Sequence, residues 1–491
     1  RVPTEVKLMK NDSNLHKTVY HVLKIQIQFG FYHCGDTLPT MEHASRYFHV
    51  SLDTIRSAYL RLQQEGYVTL SQNIGTKVIR DYSRQETEQF IQLFFSRRKS
   101  ALIDLSKSIR PLLGQTQWVG LKNAYMNLSE DGQPHSSPTD PYPLIAFNYV
   151  MQAYDSLEND LLLRLVWQVF TFFEAPFFAI PDNPWSIDTV KNRVPQTVGL
   201  CLRQDWNALK KHLYEAQDSL ALSLNTLYEE RITVSQQQQE ASFTWNPYKK
   251  ASQLCYSLAM DLLIAISRGQ YPEHTMLPSL SQLSIEHGVS ISTVRRALSL
   301  LKGIGAVKSI KRIGTRILPY HESARQCDFT NLLIRKRLLS MAQSLQILTL
   351  SCRNVAELTV SALDTDALQE WLAMIDGIKA RQRFELISYA SLELLAQSAP
   401  YAAIRTVYTE LLQMLFWGYP LGSVNNMDHH AGNYYRSCTE TLVRLLEKAD
   451  ASAFSENLES LMIHELRIVV NNLTQLGIED AGKLLLPDHL A

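Results

Sequence analysis

The chain has 491 residues, more than one hydrophobic core usually holds, so several domains are expected. Hydrophobic residues make up 45% and charged residues 20%, and 48 basic side chains balance 48 acidic ones, so no overall charge excess explains function. Six scattered cysteines (Cys34, Cys201, Cys255, Cys327, Cys352 and Cys438), with no CxxC, read as buried thiols of a reducing compartment and exclude a disulfide framework or zinc site.

Residues 1–82 hold the first copy of a motif that ends in "HVSLDTIRSAYLRLQQEGYVTLSQNIGTKV" from His49. Residues 83–234 are read as helical, with long periodic apolar runs and few strand signals. The most apolar run, Leu161 to Pro181, is interrupted by Arg164, Gln168, Glu174 and Pro176, which argues against a membrane span. No signal peptide is visible in a chain that begins at Arg1, so a soluble cytoplasmic protein is expected. The Gln-rich segment 235–247 reads as a linker, because "SQQQQEAS" offers nothing to a core.

The second copy occupies residues 248–320. "ASQLCYSLAMDLLIAISRGQY" predicts a helix that stops at Gly269, and Ser279 is a plausible N-cap for a helix through "LSQLSIEHG". After a turn at Gly288, "SISTVRRALSLLKGIG" predicts a third helix with Val294, Ala297, Leu298 and Leu301 on its apolar face. "GAVKSIKRIGTRIL" then reads as two short strands joined by a basic turn. Residues 321–491 form a second helical region with looser echoes of the first, such as "LFWGYPLGSVNN" against "FFEAPFFAIPDNP".

The two copies keep step. Pro39 and Pro278, Arg56 and Arg295, and Gly75 and Gly314 are each 239 positions apart, as in a tandem duplication of about half the chain. The order helix, helix, turn, helix, hairpin is that of a winged helix-turn-helix. The expected class is therefore mainly α: two winged helix-turn-helix domains with small β wings, each followed by an all-α bundle.

Such a domain places the N-terminal residues of its third helix nearest the bases, where hydroxyls suit phosphate and Arg suits guanine. In the second copy these are Ser290, Ser292, Thr293, Arg295 and Arg296, with Lys311, Arg312 and Arg316 on the wing around Gly314. In the first they are Ser51, Asp53, Thr54 and Arg56, with a less charged wing of Gln72, Asn73, Gly75, Thr76 and Lys77. Thr40, Ser279 and Thr315 complete the expected DNA-contacting set. Local charge differs as well: +5 from Cys255 to Leu318, but +2 from Tyr20 to Arg80.

"GDTLPT" and "MLPS" before the second helix, "VSxxT(I/V)R" in the third and "IGT" at the wing resemble the GntR family of bacterial transcription regulators, over about 65 residues per copy. The resemblance implies contacts with double-stranded DNA from Thr54, Ile55 and Arg56, from Thr293, Val294 and Arg295, and from Gly75 and Gly314. It departs at two places. The family's Arg after Leu-Pro-Ser is Glu42 and Ser281 here, and its Arg after Val-Ser is Leu52 and Ile291. Glu42 repels phosphate, so weaker or altered DNA binding is expected of the first copy.

The helical regions resemble the FadR or FCD type, which implies a small-molecule effector, anionic or apolar, in a bundle cavity. Members of that type hold a metal through Asp and three His. Asp428, His429, His430 and His464, or His135 and His212, supply that constellation poorly, so no metal and no cofactor is expected. The aromatics Phe170, Phe172, Phe173, Phe177, Phe178, Trp185, Phe416, Trp417 and Tyr419 read mostly as core, or else as an apolar effector pocket. Arg164 and Arg405 suit a helix-face salt bridge or an anionic ligand. No nucleophile and base are arranged for catalysis, so a regulator rather than an enzyme is expected, either a monomer whose halves form an intramolecular pseudo-dimer on two half-sites or a homodimer. The alternative is an architectural factor that uses winged helices as scaffolds.

Overall fold

Each copy folds as its apolar spacing demands. The computed structural model describes residues 15–71, 75–126, 151–233, 240–245, 250–421 and 429–486; the side chains of residues 190, 250–253 and 429–431 lie outside that description. In the first copy α1 (Leu15–Gln28), α2 (Met41–Phe48) and α3 (Leu52–Gln64) precede the antiparallel strands β1 (Val68–Ser71) and β2 (Gly75–Val78). Val19, Leu23 and Ile27 of α1 recur at helical spacing and are buried with Ala44 of α2 and with Ile55, Ala58 and Leu62 of α3. Val68 and Val78, paired across the strands, close this core.

The first region after it is helical: α4 (Arg84–Ser96), α5 (Lys99–Ile109), α6 (Gln115–Met126), α7 (Asp160–Val169), α8 (Val194–Leu202) and α9 (Trp206–Glu230). Three π-helical turns interrupt it, at Arg110–Gly114, Phe170–Glu174 and Thr189–Arg193, each beside a proline: Pro111, Pro176 and Pro195. Proline has no amide hydrogen and clashes with the carbonyl four residues back; a widened turn accommodates the ring without ending the helix. That corrects one expectation. Glu174 and Pro176 do not break the apolar run: Asp160–Phe178 is long and apolar enough to cross a membrane by length and composition, and 78% of it is buried within the protein.

The linker is partly fastened down. The Glu240 carboxylate accepts from Ser100 N at 2.6 Å, at the start of α5, and the Phe243 ring lies 5.5 Å from Phe172. The remainder of 235–247, apart from Glu240 to Trp245, lies outside the described residues. The chain divides at this point into two compact units, Arg1–Phe243 and Thr244–Ala491.

In the second unit α10 (Lys250–Ser267), α11 (Leu280–Glu286), α12 (Ile291–Gly303), β3 (Val307–Ile310) and β4 (Gly314–Ile317) repeat the winged domain. Its buried residues Leu283, Val294, Ala297, Leu301, Val307 and Ile317 stand 239 positions after Ala44, Ile55, Ala58, Leu62, Val68 and Val78. Behind it lie α13 (Leu332–Ser361), α14 (Thr365–Ala380), α15 (Ile387–Ser398), α16 (Ala402–Met414), α17 (His429–Glu447) and α18 (Ala451–Gln475). Helix α13 is the central strut, and its buried polar groups are matched. Ser344 Oγ donates to Leu411 O at 2.8 Å, Gln346 Nε2 to Leu484 O at 3.0 Å, and Ser351 Oγ meets Tyr408 OH at 2.9 Å. The fold is thus mainly α with two small two-stranded wings.

Candidate nucleic-acid interface

The helix-turn-helix corner is built alike in both copies. Ser45 Oγ donates to Val50 O at 2.6 Å and Ser284 Oγ to Val289 O at 2.5 Å, which locks the turn before the third helix. The turn needs a left-handed residue, supplied by Gly288 (φ 62°) in the second copy and by His49 (φ 51°) in the first. Ser51 and Ser290 cap the third helices. Their hydroxyls accept from Thr54 N at 3.3 Å and Thr293 N at 3.2 Å, and meet the hydroxyls of the same threonines at 2.9 Å.

Capping consumes several of the expected contact groups. Thr54 is buried, while Ser292 Oγ bonds to Ser290 Oγ at 2.8 Å. Thr40 accepts from His43 N at 3.2 Å, and Ser279 forms a capping box with Gln282, so these two begin the second helices. What faces outward from the third helices is Leu52, Asp53 and Arg56 in the first copy and Ile291, Ser292, Arg295 and Arg296 in the second. Leu52 and Ile291, at the position where the resemblance would have an Arg, are 44% and 40% exposed.

One contact separates the copies. Arg56 Nη1 lies 3.2 Å from Asp53 Oδ1, so the first recognition helix largely cancels its own charge. The residue in register with Asp53 is Ser292, and Arg295 has no ion pair among the described residues. Glu42 adds an exposed carboxylate to the first turn of α2. The i, i+3 pairing of Asp53 with Arg56 is a spacing signal that sequence reasoning passed over.

The wings diverge too. Lys311, Arg312, Ile313 and Arg316 are exposed around the second hairpin, where Arg312 takes a left-handed φ of 67° and the Ile313 side chain is 71% exposed. Lys308 on β3, counted in the local charge but outside the expected DNA-contacting set, adds a further exposed cation. In the first wing Lys77 is exposed, but strand alternation turns Thr76 inward to 6% exposure, so it presents no side chain outward. Thr315, its counterpart, is half-buried; Gln72 and Asn73 lie outside the described residues. The wing glycines mark a close approach. A Cβ on Gly314 would stand 3.0 Å from Met276 Cε, and one on Gly75 3.3 Å from Thr37 Cγ2, on the segments that bridge to β4 and β2.

Residues 15–78 and 257–317 both match the family described as bacterial regulatory proteins, gntR family. Each winged domain thus matches the gntR family model over nearly its whole length. The uncharacterized HTH-type transcriptional regulator YieP of Escherichia coli (strain K12) is 41% identical over 66 residues, 13% of this chain; the match spans 29% of that relative's length. Among solved structures, the Streptococcus agalactiae GntR is 17% identical with a TM-score of 0.21, covering 43% of this chain and 99% of its own. The E. coli McbR/YncC is 16% identical with a TM-score of 0.24, covering 45% of this chain and 98% of its own.

Each gntR domain joins its helical region differently. Phe29, just past the end of α1, packs its ring 5.7 Å from Phe94 and 6.2 Å from Phe95. The residue in register is Arg268, whose Nη2 donates to Glu393 Oε2 of α15 at 2.7 Å. Beside this ion pair lies a cavity of about 420 Å³, walled by Met260, Leu263 and Ile264 of α10, by α13 to α15, and by α17 and α18. A helix of the second gntR domain therefore forms part of the cavity wall.

The remaining expected ligand groups are placed as follows. Asp428, His135 and the side chains of His429 and His430 lie outside the described residues, and among those described no three His, Cys, Asp or Glu side chains gather as for a metal. His464 lies 4.3 Å from the Tyr434 ring, with burial lowering its pKa, and His212 Nε2 sits 3.3 Å from Arg193 O. Arg405 donates to Ala399 O at 2.5 Å, which answers a helix-end carbonyl rather than a ligand or a carboxylate. Phe170, Phe173, Phe177, Phe178, Phe416 and Trp417 are buried core, Phe172 and Trp185 are half-buried, and Tyr419 reaches the cavity.

Proposed function

We propose that this chain is a cytoplasmic, sequence-specific DNA-binding transcription regulator of gntR type. Its two winged domains read the two half-sites of one operator, and its helical regions sense a small-molecule effector. The observation that carries the first part is the outward row Ile291, Ser292, Arg295 and Arg296, set on a capped helix beside a basic wing. Arg295 suits a guanine edge, Ile291 a thymine methyl, and Lys311, Arg312 and Arg316 a phosphate row. The first copy offers the same scaffold with its arginine tied to Asp53, which supports an imperfect palindrome with one strong and one weak half-site. Linking both readers in one chain raises the effective concentration of the weak one beside the strong.

Effector sensing is supported by the shared wall. A molecule in the cavity touches α10 and lies beside the Arg268–Glu393 pair that joins domain to bundle, so occupancy and the attitude of the reader are coupled. The protein acts here as a regulator without an enzymatic step.

The test is a fluorescence-anisotropy titration of the full chain against a selected pool of duplex DNA over a salt series. Selective binding that falls by about 1–3 kcal/mol in Arg295→Ala, with a smaller loss in Arg56→Ala, is the expected result. Weak, unselective binding that neither substitution changes would mean that the winged domains serve as protein scaffolds.

A further inference from the structure

The cavity of the second unit has the size of a small-molecule site and mostly apolar walls. Its charged groups identify what it lacks. Arg268 is paired with Glu393 at 2.7 Å, and Arg383 is paired with Glu385 while its guanidinium stacks 4.6 Å from the centre of the Tyr320 ring. Arg381 is exposed at the rim. Glu465 of α18 is different: among the described residues no lysine or arginine pairs with it.

The groups around Glu465 are hydroxyls, a thiol and another acid. Ser388 Oγ of α15 donates to Glu465 Oε1 at 3.2 Å, and the Tyr435 hydroxyl of α17 bonds to the same carboxylate. Tyr320, Tyr434 and Cys438 lie near enough to feel its charge, and Glu385 opposes it. Burial pushes its carboxyl up to about 7. A carboxylate held in an apolar chamber with no counter-ion is costly to ionise, and a bound cation removes that cost. The rings beside it favour the same occupant. Tyr320 and Tyr435 lie near the acid, and Tyr389 and Tyr419 line the same cavity, where Tyr419 packs edge to face with Tyr320 at 4.9 Å, so aromatic rings and hydroxyls line the chamber that holds the acid.

We propose that the cavity binds a hydrophobic organic cation, an ammonium or phosphonium with an apolar body, with Glu465 as its counter-ion. The proposal rests on the reading of this helical region as an effector sensor. The two paired arginines stay satisfied by Glu393 and Glu385, the apolar body fills the space against Met260, Leu263 and Met341, and the positive centre lies at Glu465.

The experiment is isothermal titration of the full chain with tetraphenylphosphonium and with tetraphenylborate, ions of the same shape and opposite charge. The phosphonium is expected to bind, and the borate to bind at least about tenfold more weakly. Glu465→Gln, which keeps the side chain's size and relieves a buried acid, should cost the phosphonium about tenfold and leave the borate unchanged, with thermal unfolding reporting that the variant is folded. Equal or tighter binding of the borate, or a phosphonium affinity indifferent to Glu465→Gln, overturns the proposal. Repeating both titrations on the operator complex separates the two readings. Phosphonium binding through Glu465 that leaves DNA affinity unmoved sinks effector sensing but keeps the site. Borate binding that shifts DNA affinity keeps sensing and sinks the cation.

Discussion

At the scale of single residues, Asp53 and Ser292 decide how much net charge each third helix presents outward. The Asp53 carboxylate lies 3.2 Å from Arg56 on an exposed face and would itself meet phosphate. Asp53→Asn is expected to tighten binding to the first half-site by about three- to tenfold and to steepen the salt dependence, read by anisotropy at two salt concentrations. Glu42→Arg should act in the same direction. Titration offers another test, because burial pushes both Glu174 and Glu465 up to about 7 from an ordinary 4.5. An acid whose folded pKa is raised binds protons more readily folded than unfolded, so each costs stability as pH rises from about 4.5 to about 7, by up to roughly 3 kcal/mol. Glu174→Gln should flatten that decline in a series of thermal melts; an unchanged slope would mean that Glu174 is not desolvated.

Among the elements, the helix-turn-helix corner is where the duplicated sequence and the backbone agree most closely. Gly288 takes a left-handed φ with open space around the missing Cβ, so Gly288→Ala carries only the backbone penalty, about 1 kcal/mol, seen as a melting temperature a few degrees lower. Much of the winged fold was legible for a simple reason. Its short helices bury residues at regular spacing, and Ser51, Ser290, Gly288 and the wing glycines mark the breaks. The candidate site was legible at Arg56, Arg295 and Arg296, whose exposure follows from helical phase. It was not legible at Thr54 and Thr76, since inward-facing threonines in a cap and a strand look like outward ones until the strand register is known. The passage through Pro176 was equally hidden, because a π-helical turn leaves no periodic trace. The cavity was hidden most of all. Arg268, Arg383 and Glu465 come from segments far apart in the chain, and only packing reveals which acid lacks a base.

For the whole molecule, the two junctions behind the readers differ in kind. Phe29 sits in an aromatic cluster in one unit; Arg268 holds an ion pair beside a cavity in the other. Glu393→Gln is expected to weaken any effect of a cavity ligand on DNA affinity while leaving ligand-free DNA binding within about threefold, since the residue touches no outward-facing group of the reader. Sedimentation of the operator complex should give one chain per two-half-site duplex; two chains per duplex would make the halves independent readers. The presence of both domains in a single polypeptide then has a consequence for the cell. A regulator assembled from separate subunits loses occupancy with the square of its concentration once dilution splits it, and a defective subunit poisons every partner it meets. Two readers joined by a peptide bond are made in equal number at every level of expression. If one chain serves both half-sites, as proposed, promoter occupancy follows the first power of protein abundance, and a damaged chain disables only itself.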